Sequence, residues 1–263
     1  LSGEAPAALP ALPPIVCIHG MWGTPAVFAR AVPQLEALGH QVVTAVLPLH
    51  DRDPRLAPPA ELGRLGIADY IAAVRRVVED LPAPPVLLGH SMGGSLAQLV
   101  AAQVPHAGLV LVAPGPTAAT NAPSLAAVRT LAGVVTRWGW WRSPTRIGWE
   151  AARWGIYNGV PEAIAEADWR SLVWDSGRVL AEMVTGAAAT RIDHGRLTAP
   201  ALIIVGTADR ITGPGIARAT ARRLGGEVDY HEMPGIGHWP WWGEVETRVT
   251  RAIADWLGRL PPA

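Results

Sequence analysis

Between Pro85 and Ala102 the chain runs through Val86-Leu87-Leu88, turns at Gly89-His90-Ser91-Met92-Gly93, and continues as Gly94-Ser95-Leu96-Ala97-Gln98-Leu99-Val100-Ala101. This reads as a short apolar strand, a turn of the form Gly-x-Ser-x-Gly, and a helix that is almost wholly apolar. So abrupt a passage from strand to helix forces the central serine into a crowded backbone conformation, which the side-chain-free glycines on either side permit. The pattern predicts a hydroxyl standing alone at a strand tip beside the positive end of a helix, a setting suited to a nucleophile. A strand without a polar face also needs cover on both of its sides.

The same alternation recurs along most of the chain. Apolar runs at 15–18, 41–47, 109–113 and 201–205, with a further strand at 227–232, are interleaved with helical spacing at 25–38, 67–81, 215–224 and 244–260. In the second of those helices Ile67, Ile71, Val74, Val78 and Leu81 form one stripe, with Arg75, Arg76, Glu79 and Asp80 off it. Strands that read as unbroken apolar runs, alternating with helices, predict an α/β fold: a mostly parallel sheet with helices on both faces. The interval 117–194 breaks the rhythm. It reads as helices at 124–138, 143–155 and 161–186, the last with a break, and shows no clear strand. Seven of the 12 tryptophans lie in it. The expected organisation is a tail at 1–14, a core built from 15–116 and 195–263, and a helical cap at 117–194 lying over the strand tips.

Composition narrows the chemistry. With 263 residues, 49% hydrophobic and 17% charged, the chain can bury a large core. Balanced charge removes the basic footprint of a nucleic-acid partner. No apolar run reaches the roughly 18 to 20 residues of a membrane span, and 1–14 lacks the basic start and apolar centre of a signal peptide. A soluble protein is expected on those grounds; the compartment is left open, with the cytoplasm favoured. All 22 cations are arginine, which excludes Schiff-base lysines, lysine phosphate loops and Ser-Lys dyads. The single cysteine, Cys17, sits in an apolar run and excludes both an intrachain disulfide and a cysteine-rich metal site.

A serine hydroxyl needs a base to take its proton, and near neutral pH that base is a histidine oriented by a carboxylate. Asp209, in Val205-Gly206-Thr207-Ala208-Asp209, follows a buried strand, and His238, in Gly235-Ile236-Gly237-His238-Trp239, lies between the last strand and the last helix. Parallel strands put all their carboxyl ends at one rim, so Ser91, Asp209 and His238 are expected to meet there. Asp175 and Asp193 read as solvated or capping residues of the helical interval.

With these residues in this order, the chain resembles the α/β-hydrolase superfamily over about residues 13 to 260. Ile18-His19-Gly20-Met21-Trp22-Gly23 resembles that family's His-Gly loop after an early strand. The resemblance implies an α/β-hydrolase fold with Ser91 as nucleophile, Asp209 as acid and His238 as base, and with the Met21 and Met92 amides forming an oxyanion hole. It implies a serine esterase acting on small-molecule carboxylic esters, with no metal and no organic cofactor. Lactone hydrolases, carbon–carbon bond hydrolases and cofactor-free perhydrolases of the family fit the same triad, and a ligand receptor without turnover is the alternative of a different class. Trp22 and Trp239 are expected to line an apolar or aromatic pocket, with Trp241 and Trp242 extending the same wall. Most tryptophans of the interval, and Trp256, are expected to serve packing. His19 is expected to brace the His-Gly loop and His90 to pack beside the elbow. His40, His50, His106, His194 and His231 read as surface or turn residues. Nothing in the sequence marks an oligomeric state.

Overall fold

The computed structural model describes residues 12–122 and 124–260. In chain order the first part comprises β1 (Ile15–Ile18), α1 (Ala31–Glu36), β2 (Val42–Thr44), α2 (Ile67–Glu79), β3 (Val86–His90), α3 (Met92–Ala101) and β4 (Gly108–Val112). There follow α4 (Leu125–Val135), β5 (Pro144–Thr145), α5 (Trp149–Gly155), α6 (Glu162–Ser171), β6 (Asp175–Ser176) and α7 (Gly177–Val184). The chain then returns to the sheet through β7 (Ala201–Gly206), α8 (Gly213–Ala221), β8 (Val228–Met233) and α9 (Gly243–Leu257). The main sheet has the spatial order β2-β1-β3-β4-β7-β8, and each of its pairings is parallel. The chain moves outward from β1 to β2 and then resumes on the other side of β1 with β3. At such a reversal the loops leaving the two adjacent strands diverge, which opens a crevice at their carboxyl ends.

Successive residues of a strand point to opposite faces, and the core divides accordingly. Ile15, Cys17, Val86, Leu88, Val110 and Val112 pack with α1 and with Val249, Ile253 and Trp256 of α9. Val16, Ile18, Leu87, Leu109 and Leu111 pack with Ile67, Ile71 and Val74 of α2 and with α3. Every residue of α3 is buried, as its apolar sequence requires. Trp256 serves packing as expected, lying against Gly108, where a Cβ would come within 2.8 Å of its ring.

The structure departs from the sequence reading at several places. The helix expected over 25–38 is split into a 3₁₀ turn at Pro25–Phe28 and the short α1. Pro33 supplies no N–H and its ring crowds the carbonyl four residues earlier, so it is accommodated only in the first turn of α1. The edge strand β8 is not an unbroken apolar run: Val228-Asp229-Tyr230-His231-Glu232-Met233 is only partly buried, because an edge strand keeps water on one side. The interval 117–194 does contain strand: β5 and β6 form a two-stranded antiparallel ribbon, too short to leave a periodic signal. Of the tail read over 1–14, residues 1–11 lie outside the described residues. Pro13 and Pro14 are buried, and the Pro14 carbonyl accepts from the Val86 N–H at 2.7 Å. No helix among the described residues is long and apolar enough to cross a membrane.

Candidate active site

Ser91 sits between β3 and α3 with φ 55° and ψ −124°, a left-handed conformation that costs a non-glycine residue on the order of 1–3 kcal/mol. The turn is tight enough that a Cβ on Gly89 would strike the Gly93 carbonyl, and one on Gly93 would strike the carbonyl of Ile18 at the end of β1. The strained turn is held by backbone bonds: Ser91 N–H donates to the Val112 carbonyl at 3.1 Å, and the Ser91 carbonyl accepts from Gly94 at 2.8 Å and Gly115 at 2.7 Å.

Asp209 follows β7 and His238 follows β8, and the structure brings both to Ser91. Ser91 Oγ lies 2.9 Å from His238 Nε2, and His238 Nδ1 lies 2.8 Å from Asp209 Oδ2. The Asp209 side chain is fully buried and that of His238 nearly so. Burial alone would push the Asp209 carboxyl up, but the His238 charge and hydrogen bond, with the Ile211 and Thr212 amides on Oδ1, hold it below the usual carboxylate range. Thr212, which the sequence reading missed, has its Oγ1 3.0 Å from Asp209 Oδ2 and 2.9 Å from the Ala113 carbonyl, with one hydroxyl proton to give to either acceptor. Its Oγ1 also lies 3.2 Å from His238 Nδ1. Asp209-x-x-Thr212 just ahead of Gly213-Pro214 is a turn-and-cap pattern, and it was the available signal.

The serine and the imidazole open onto a cavity of about 370 Å³. Met21 and Met92 line it beside them, as do Trp22 and Trp239. Met92 is the first residue of α3, where backbone N–H groups have no acceptor within the helix. Gly20 allows the close approach of the two loops: a Cβ there would come within 2.9 Å of Ser91 Cβ. The walls are largely apolar, with Val128 and Leu131 of α4, Trp140, and Leu180 and Met183 of α7 facing the sheet-borne residues. Trp239 is anchored by its indole N–H, which donates to Asp168 Oδ2 at 2.8 Å.

Trp241 and Trp242 do not extend that wall. Trp241 is turned away, edge-on to Phe28 at 5.2 Å and to His90 at 5.6 Å, and lines a separate cavity of about 260 Å³. Among the tryptophans of 117–194, Trp149 and Trp169 pack together at 5.6 Å, whereas Trp138 is 93% exposed, its ring edge-on to that of Trp141 at 5.1 Å.

His90 packs beside the elbow with its ring 5.2 Å from His238 and Nε2 3.1 Å from the His238 carbonyl. Burial, then the His238 charge, pulls its pKa down to about 3. His19 is similarly lowered to about 3 by burial and the neighbouring His50, with Nδ1 2.9 Å from the Gly20 carbonyl. His40, His50 and His194 are buried rather than superficial. His40 Nδ1 meets the Pro13 carbonyl at 2.8 Å, and His194 Nε2 lies 3.1 Å from Thr117 Oγ1, so each finds polar company inside. Asp175 is the largest departure from expectation. Its side chain is fully buried, 3.1 Å from His50 Nε2 and in hydrogen bonds with Tyr70 Oη and the Trp22 N–H.

No curated protein sequence matches the chain. Solved structures match it along nearly its whole length at low identity, a likeness of fold. The monoacylglycerol lipase of Paleococcus ferrophilus superposes with a TM-score of 0.71 at 21% identity, over 95% of this chain and 96% of that one. A pyrethroid hydrolase of Sphingobium faniae gives 0.64 at 20% identity, over 94% and 98%. A methylesterase from Arabidopsis gives 0.67 at 12% identity, over 93% and 98%. The family model described as the alpha/beta hydrolase family matches residues 15–252, which spans both the elbow and the two loops that meet it. By that match and by its sheet, the chain belongs to the alpha/beta hydrolase family.

Proposed function

We propose that this protein is a serine hydrolase of carboxylic esters bearing apolar or aromatic groups, working through an acyl-enzyme. The observation that carries the reading is the unbroken hydrogen-bonded path from Ser91 Oγ through His238 to the buried Asp209, opening onto an apolar cavity. His238 Nε2 takes the proton as Ser91 Oγ adds to the ester carbonyl carbon, and the carbonyl oxygen becomes an oxyanion. The Met21 and Met92 amides, both at the cavity wall beside Ser91, are assigned to that oxyanion, where one such donor contributes about 10² to 10³ in rate. Collapse of the intermediate breaks the carbon–oxygen bond, and the proton on His238 leaves with the alcohol. Water then gives a proton to His238 as it attacks the acyl carbon; collapse breaks the bond to Ser91 Oγ, which takes that proton back from His238, and the acid is released. Asp209 holds the imidazole ring with Nδ1–H toward itself and Nε2 toward Ser91 throughout. No step calls for a metal or an organic cofactor.

In this reading residues 117–194 are the cap, and the core is 15–116 with 195–263. The apolar residues that α4 and α7 contribute to the cavity support selection of apolar acyl or alcohol groups, with Trp22 and Trp239 against them. The lipase and the methylesterase among the structural relatives support ester chemistry on this fold.

The test compares wild type with Ser91→Ala on a panel of aryl and alkyl esters, lactones, diketones and amides, alongside labelling by a fluorophosphonate. Ester turnover that vanishes in Ser91→Ala, with one label per chain, is the expected result. Turnover that survives in the variant would overturn the assignment. Labelling without turnover of any substrate would favour a ligand receptor, and a preference for lactones or diketones would move the protein to another branch of the same chemistry.

A further inference from the structure

The most heavily bonded buried charge outside the Ser91–His238–Asp209 path is Asp175, at the start of β6. Its Oδ1 accepts from Tyr70 Oη at 2.7 Å and from the Ser176 N–H at 2.6 Å. Its Oδ2 accepts from the Trp22 N–H at 2.8 Å and lies 3.1 Å from His50 Nε2. The other nitrogen of His50 faces the Pro48 carbonyl at 2.9 Å. Neither Asp175 nor His50 has any exposed side-chain surface. A carboxylate with four polar partners drawn from the β1 loop, the β2 loop, α2 and its own strand is more than a local cap. Removing a charge from such a site leaves its partners buried and unpaired.

The Trp22 N–H is the telling partner. Trp22 has φ 62°, the left-handed region that a bulky residue adopts only when its surroundings impose it. Both polar groups of its backbone are held from the same stretch of chain. The Trp22 N–H goes to Asp175, and the Trp22 carbonyl accepts from the Val173 N–H at 2.8 Å. The Met21–Trp22 peptide shares the Met21 Cα with the preceding peptide, which carries the Met21 N–H, so holding the one restrains the other at the cavity wall beside Ser91.

We infer that Asp175 is a positioning residue: its carboxylate, balanced by His50 and hydrogen-bonded by Tyr70, clamps the Trp22 peptide and so aims the Met21 amide at the oxyanion. The inference rests on the hydrolase reading, because it assigns Asp175 its effect through that amide. It also makes residues 173–175, far along the chain from every residue of the proposed triad, a condition for the rate of the chemical step. Substrate is bound mainly by the apolar walls, so loss of the clamp falls on kcat and leaves KM nearly alone.

The test uses Asp175→Asn and, as a milder variant that keeps the carboxylate, Tyr70→Phe. Both are assayed on a short-chain aryl ester, and both are followed by hydrogen exchange of the peptide containing Trp22. One well-placed oxyanion donor is worth about 10² to 10³, so a misaimed one is expected to lower kcat about 10- to 100-fold in Asp175→Asn, with KM within about threefold. Tyr70→Phe is expected to lower kcat about 3- to 10-fold, again with KM nearly unchanged, since one of several hydrogen bonds is lost. In both variants the Trp22 amide is expected to exchange faster than in wild type. If Asp175→Asn does not fold, Tyr70→Phe decides: an unchanged kcat, or a change confined to KM, would overturn the inference. Failure of wild type to turn over any ester would instead sink the hydrolase reading. In that case the clamp stands or falls on the exchange data alone, and unaltered Trp22 protection in the folded variant would reject it.

Discussion

Two buried aspartate–histidine pairs flank the loop of His19-Gly20-Met21-Trp22, and they end differently. In one, Asp209 takes His238 Nδ1 and leaves Nε2 2.9 Å from a hydroxyl that faces the cavity. In the other, Asp175 faces His50 Nε2, and the remaining ring nitrogen is spent on the Pro48 carbonyl. Both carboxyls are held below the usual range although burial opposes it, because the paired histidine and its hydrogen bonds outweigh desolvation. The pairing chemistry is therefore shared. What separates a candidate proton shuttle from a tie-bar is whether the second nitrogen meets a movable proton or a backbone carbonyl.

The sharpest way to break the comparison is at the serine end. Ser91→Ala and His238→Ala are each expected to lower kcat by about 10⁴ or more, and the double variant by little beyond either. Losses that multiply in steady-state assays would show that the two do not act as a unit. Asp209→Asn is expected to cost about 10³ to 10⁴ by presenting the wrong imidazole tautomer, against the much smaller loss for Asp175→Asn. Equal losses at the two aspartates would erase the distinction drawn between them.

Stability sharpens the contrast from the other side. His50→Gln is expected to destabilise the fold by about 3 kcal/mol, since it leaves a buried carboxylate without its counter-charge. Burial alone would lower the His50 pKa, but the Asp175 charge 3.1 Å away raises it above the ordinary histidine value. A raised histidine contributes stability that is complete below about pH 6.5 and is lost as pH rises through the folded-state value. The lowered Asp175 contributes stability that is present above about pH 4 and is lost as pH falls through its own folded value. The gap between wild type and His50→Gln in denaturant titrations is accordingly expected to be widest between about pH 4 and 6.5 and to narrow above it. A gap independent of pH would mean that His50 acts as a neutral packing residue. The smallest expected effect is at the cavity wall. Trp239→Phe loses the hydrogen bond to Asp168 and should shift the ratio of kcat/KM between aryl and alkyl esters by about 3- to 10-fold, roughly one hydrogen bond's worth.

The two pairs also differ in how far the sequence disclosed them. Ser91, Asp209 and His238 each stand at the end of a recognisable strand in a glycine-bearing loop, and parallel strands guarantee a common rim. Their meeting follows from topology without knowledge of any side-chain contact. Asp175 offers no such handle. In Trp174-Asp175-Ser176-Gly177 it reads as a capping residue, and Ser176 does cap α7 by accepting from the Val179 N–H. Its remaining partners, Trp22, His50 and Tyr70, come from distant parts of the chain. The ribbon that carries it is only two residues wide, below what periodicity can register. Thr212 lies between these cases: its spacing from Asp209 was visible, but its reach to the Ala113 carbonyl depends on the packing of β4 against β7.

The backbone of Ser91 has a consequence for how reactivity and robustness are traded in this molecule. Glycine adopts φ 55° without the clash that any side chain meets there, so the fold as such would be more comfortable with no side chain at the position of the proposed nucleophile. Ser91→Gly should abolish turnover yet melt no lower than wild type. Selection for stability alone would push the elbow toward an inert sequence.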